Sequence, residues 1–200
     1  MSALPKNDSE LRKAFETIPT IKQLSDPVLA ISQLISTCEL SRESIQNVLN
    51  KYQIEKITDL KLELLDLLIT YANVILDDHI VSEKERFNIE ILKKYFRIKE
   101  GDFFTYRYSE VENILHRQFE IIYSDNDVSR EEAIHKVALQ ELFDLSYDQF
   151  EIFKQKEISQ ALDQGADISN LDTTMFPQSK NKPTYDDIKQ FNTNKKDNPK

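Results

Sequence analysis

Apolar residues recur along this chain at steps of three and four, the spacing that lines one face of an α-helix, and the pattern predicts a succession of helices. A first short helix over about 9–18 is expected to stop at Pro19, whose ring clashes with the carbonyl four residues back. Asp26 and Pro27 supply an N-cap and a first-turn proline for a second helix carrying Val28, Ile31, Leu34 and Ile35. Ser41 opens a third, with Ile45, Val48 and Leu49, that fades near Tyr52. The fourth, over about 58–77, is the most hydrophobic, and its polar residues Glu63, Asp66, Thr70, Asn73 and Asp77 line one face. Ser82 caps a fifth with Phe87, Ile91, Tyr95 and Ile98 inward. A sixth, over about 109–123, buries Val111, Ile114, Leu115, Ile121 and Ile122. Ser129 caps a seventh with Ile134, Val137, Ala138 and Leu142 inward. Ser146 caps an eighth with Phe150, Phe153, Ile158 and Leu162, and Gly165 is a natural C-terminal stop. From Ala166 the period fails, and residues 166–200 read as a polar, mostly disordered tail with Leu171, Met175 and Phe176 as its apolar points.

The pattern also repeats. With Ser82 set over Ser129, an offset of 47, the two stretches align without a gap. Glu63 falls on Glu110, Leu68 on Leu115, Ile75 on Ile122, Asp78 on Asp125, Val81 on Val128, Glu85 on Glu132, Phe96 on Phe143 and Phe103 on Phe150. Chance between two amphipathic helices explains the apolar matches but not the acidic turn held in common. Two copies make a pseudo-two-fold bundle rather than a solenoid, which needs at least about three. The expected fold is therefore all-α, a compact bundle of about seven to eight helices. Residues 1–57 cap or extend it, residues 58–165 form the repeated domain and residues 166–200 the tail.

Charge narrows the function. Lys and Arg number 26 against 35 Asp and Glu, a formal net charge of −9. Such a surface repels nucleic-acid phosphates and anionic lipid, and it complements divalent cations and basic partners. Cys38 is the only cysteine, which excludes an intramolecular disulfide; the expected setting is cytoplasmic, with the thiol buried and inert. The start MSALPKNDSE lacks a signal-peptide layout, and the apolar stretch 60–76 is too interrupted by polar residues to span a membrane.

The candidate chemistry lies in the two turns, 77–85 and 124–132. Ser82 with Glu85, and Ser129 with Glu132, are S-x-x-E capping boxes that satisfy open N–H groups at a helix start, which needs no ligand. Electrostatics offers a second reading. Asp77, Asp78, Glu83 and Glu85 crowd one turn, and Asp125, Asp127, Glu131 and Glu132 the other. Were the turns brought together, these like charges would be costly without a cation, and hard oxygen donors suit Ca²⁺, Mg²⁺ or Mn²⁺. Neither turn is an EF-hand: counting from Asp125, Arg130 takes the glycine position and Lys136 the final glutamate position.

The stretches DDHIVSEKE and SDNDVSREE resemble the A-D-G-x-[IV]-S-x-x-E turn of TerB-like tellurite-resistance proteins, over about residues 58–153. Asp78 and Glu85, and again Asp125 and Glu132, match the family's acidic positions, while His79 and Asn126 replace its glycine. The resemblance implies a non-catalytic helical domain that binds a divalent cation through these turns, with Asp77 and Asp127 beside them. It further implies a bacterial stress-response role, docked on a protein partner in a cytoplasmic complex at the inner face of the membrane. The alternative is a metal-independent acidic module that holds a basic partner.

A carboxylate-bridged metalloenzyme has one feature in its favour, the E-x-x-H of Glu132 and His135. The first copy has Glu85 and Asn88 at those positions and lacks the second histidine, so His135 is expected at the surface. No phosphate loop, zinc spacing or serine triad motif is present.

Overall fold

The computed structural model describes residues 8–77, 81–124, 129–163 and 165. Among them every regular element is helical: α1 (Ser9–Ile21), α2 (Asp26–Ser36), α3 (Arg42–Lys51), a 3₁₀ turn (Ile57–Leu60), α4 (Lys61–Ile75), α5 (Glu83–Phe96), α6 (Asp102–Tyr106), α7 (Tyr108–Ile122), α8 (Arg130–Leu142) and α9 (Tyr147–Asp163). The all-helical bundle is as expected, with the short α6 added before α7. The tail beyond Gly165 lies outside the described residues.

α4 is the hub. Leu64, Leu65, Leu67 and Leu68 are all buried, a run too continuous for a one-sided helix, and α4 touches α1, α2, α5 and α7. α5 packs on α8, and α7 packs on α9. One contiguous core runs from Leu11 in α1 to Ile158 in α9, so the N-terminal helices share the core of the repeated region.

Pro19 does not stop α1; it lies within the helix. Proline cannot donate to the carbonyl four residues earlier, that of Phe15. The buried Ser32 hydroxyl of α2 donates to that oxygen instead, at 3.4 Å. The N-cap position of α2 is Ser25, one residue before the predicted Asp26, and its hydroxyl bonds Glu63 rather than the helix start. Gly165 has φ +97°, as a helix stop requires.

The inward face of several helices differs from the sequence expectation. Ile134 and Val137 of α8 are 56% and 51% exposed, and Phe87 and Ile121 are also exposed. The inner arc of α8 is His135, Ala138, Leu139 and Leu142, with the Lys136 stem alongside. Two arcs of α8 carry apolar residues at helical spacing, and packing against α5 selects the one rotated by a position.

Helix ends show a further regularity. Cys38, Gln53, Arg97 and Asp144 have positive φ, near +50°, where glycine is usual. The residue after each donates five positions back: Glu39 to Leu34, Ile54 to Leu49, Ile98 to Lys93 and Leu145 to Gln140, all within 2.8–3.1 Å. Each is a Schellman-type closure with a side chain in the strained position. Cys38 is thus a half-exposed helix exit, not the buried thiol expected.

Candidate functional site

The two capping boxes form as predicted. Ser82 N donates to Glu85 Oε2 at 2.8 Å, and Glu85 N returns a bond to Ser82 Oγ at 3.3 Å. Ser129 N donates to Glu132 Oε2 at 2.7 Å, answered by Glu132 N to Ser129 Oγ at 3.2 Å. The same exchange joins Ser146 and Gln149 at the start of α9, where no acidic turn precedes the helix. The box by itself is therefore a folding device. In the acidic turns it engages one oxygen of each glutamate, and Oε1 of Glu85 and of Glu132 has no partner among the described residues.

Of the six predicted ligands, Asp78, Asp125 and Asp127 lie outside the described residues. Asp77 is exposed, and it lines one cleft together with Glu85; Glu132 is not in that cleft. Among the described residues, no three His, Cys, Asp or Glu side chains are grouped so as to hold a metal ion. The donors present are hard oxygens, which suit Ca²⁺, Mg²⁺ or Mn²⁺ if the adjoining aspartates complete the set.

The cleft holding Asp77 and Glu85 has a volume of about 330 Å³ and runs between α1, the end of α4 and the start of α5. Asp8, the N-cap of α1, is its anchor and is 1% exposed. Asp8 Oδ1 accepts from Glu10 N at 3.1 Å, Leu11 N at 3.0 Å and Lys84 Nζ at 2.9 Å. Asn88 Nδ2 donates to Asp8 Oδ2 at 2.7 Å. Burial alone would raise the Asp8 carboxyl, but the bonds from Lys84, Leu11 N and Asn88 outweigh it and hold the group below its ordinary value. Tyr71 is the other buried polar group here. Burial pushes its phenol far up; the Asn88 amide opposes this, and the charges of Glu85, Asp8 and Glu10 add to it.

The positions 47 residues beyond the buried Tyr71 and Asn88 form a hydrogen-bonded pair. They are Gln118 and His135, joined at 3.0 Å between Gln118 Oε1 and His135 Nε2. His135 is 8% exposed, which corrects the expectation of a surface residue: Ala138 and Leu139 turn inward with it. The spans of α4 and α7 are also offset by 47, as are the positive-φ residues Arg97 and Asp144. Asp8, Tyr71, Lys84 and Asn88 were not foreseen as a site. The signal available for Asn88 was its alignment with His135.

The polar face of α4 is a ladder between helices. Glu63 accepts from Ser25 Oγ, and Asn73 Oδ1 accepts from Arg117 at 2.6 Å. Asp66 takes a two-pronged contact from Arg107, at 2.6 Å from Nε and 3.0 Å from Nη2. Arg107 thereby pins the α6–α7 corner onto α4. No helix among the described residues is long and apolar enough to cross a membrane.

Comparison of this chain with protein families, with curated proteins and with solved structures finds no match.

Proposed function

We propose that this chain is a non-catalytic, TerB-like stress-response protein that binds a divalent cation through its acidic interhelix turns and docks on a protein partner in the cytoplasm. One observation carries the reading: both acidic turns end in the same reciprocal box, which fixes Glu85 and Glu132 alike while leaving one oxygen of each uncommitted among the described residues. Those oxygens, with Asp78 and Asp125 of the adjoining turns, are the donors assigned to Ca²⁺, Mg²⁺ or Mn²⁺, and Asp77 and Asp127 stand next to them in sequence. The net charge of −9 favours cation and basic-partner binding alike.

The test is thermal unfolding with and without Ca²⁺ and Mn²⁺. Either ion is expected to raise the melting temperature, by mass action on the folded state, and Asp78→Ala with Asp125→Ala is expected to abolish the rise. An unchanged wild-type melting temperature sinks the metal reading. The second reading, a metal-independent interaction module, is favoured by the box at Ser146 and Gln149, which forms with no acidic turn before it. It expects metal-independent stability and partner capture that weakens with salt.

A further inference from the structure

The cleft between α1, α4 and α5 contains groups that its own hydrogen bonds leave unused. Asn88 lines it, is 1% exposed and gives its Nδ2 to Asp8, yet its Oδ1 is buried with no hydrogen-bond partner among the described residues. The Nδ2–Asp8 bond fixes the amide orientation, since a flip would set two oxygens against each other. A buried acceptor without a donor is costly, and a group that supplies one gains that cost back on binding. Nearby, Asp77 and Glu85 have no cationic partner among the described residues, whereas Asp8 and Glu10 share Lys84. Four carboxylates line the cleft against one lysine, Lys13. The walls between these polar groups are apolar: Leu11, Ala14, Val74 and Ile75.

We propose that this cleft receives a lysine or arginine side chain carried by a basic segment of a partner protein. Acceptors without donors call for a cationic donor, and apolar walls suit the aliphatic stem that such a side chain carries behind its charged head. The charge at the rim matches a basic partner. The inference rests on the docking half of the proposed function and gives it a place and a chemistry. It draws on Asp77 and Glu85, which the metal reading also uses, so the lysine titration is run with divalent cations removed and the metal titration without lysine.

The test uses the full chain, ¹⁵N-labelled, and the probe Nα-acetyl-lysine methylamide, with the norleucine analogue as the uncharged control. The lysine compound is expected to shift the Asn88 side-chain amide and the backbone amides of Asp77 and Glu85 saturably, and the norleucine compound to leave them in place. Asp77→Asn with Glu85→Gln is expected to weaken binding by about tenfold, as loss of a charge-assisted contact does. Gln still completes the box at Glu85 and Asp77 is exposed, so folding is retained; should the double variant melt early, Asp77→Asn alone decides. Equal shifts from the two compounds overturn the proposal, as do lysine shifts that survive the variants or spread evenly over the acidic surface. A chain that binds lysine here but shows no metal response loses only the metal reading. One that responds to metal but fails the lysine titration loses only this cleft.

Discussion

The two halves of the repeated region solve the same problem with different neighbours. Each buries polar side chains at matching positions between its two helices, Tyr71 and Asn88 in the first and Gln118 and His135 in the second. In the second half the pair meets within the unit, at 3.0 Å. In the first, the amide reaches out instead to Asp8, so α1 is fastened onto the unit by a buried bond spanning 80 positions of sequence. The added helix leaves a cleft with uncommitted acceptors on the first half. The two halves thus differ in what their buried polar groups bond to, while α4 and α7, the starts of α5 and α8, and the exits at Arg97 and Asp144 stay offset by the same 47 positions.

The largest test of that equivalence is in the core. Leu92 and Leu139 are offset by 47 and both fully buried, so each change to Ala is expected to cost about 2–5 kcal/mol in urea unfolding. A much smaller cost at Leu139 would break the comparison by showing the second half to be loosely packed.

Next comes the feature the second half lacks. Asp8→Ala removes the α1 cap and leaves the Asn88 amide unpaired, an expected loss of about 2–3 kcal/mol by the same measurement. This contribution depends on pH in a defined direction. The Asp8 carboxyl is held below its ordinary value of 3.8, so the folded chain takes up that proton less readily than the unfolded one. The stability is whole above about pH 4 and is lost as pH falls through the lower, folded value. Unfolding curves of wild type and Asp8→Ala are therefore expected to converge in acid, and a gap that stays constant down to pH 2 would contradict the assignment.

The capping boxes should respond alike. Ser82→Ala and Ser129→Ala are each expected to cost about 1 kcal/mol, and unequal costs would show that one turn depends on more than its box. The smallest effect tests the rotation of α8: Ile134→Gln should stay within about 0.5 kcal/mol, since the side chain is 56% exposed. A loss of 2 kcal/mol or more would return Ile134 to the core.

What the sequence made legible follows the range of the interactions involved. The capping boxes span three residues and were readable directly, and the long helices carry enough period to be found. α6 has five residues between Gly101 and Arg107, too few for a period, and it was not foreseen. Pro19 misled because the donor replacing its N–H comes from Ser32, on another helix. The face of α8 misled because Ile134 with Val137 and His135 with Ala138 share one spacing, and only tertiary packing chooses between them. For the site, Asp77 and Glu85 do share a cleft, but the groups that shape it come from α1, far away in sequence. In the sequence, Asn88 stands out only as the position where the second copy carries His135.

The helix exits have a consequence for the chain as a polymer. With two glycines in 200 residues, the unfolded ensemble is comparatively stiff and gives up less freedom on folding. The cost has moved to the native corners at Cys38, Gln53, Arg97 and Asp144, where a side chain is held in a left-handed turn at about 1–2 kcal/mol each. These corners act as sprung joints, kept shut by the helices on either side and tending to open whenever those helices loosen.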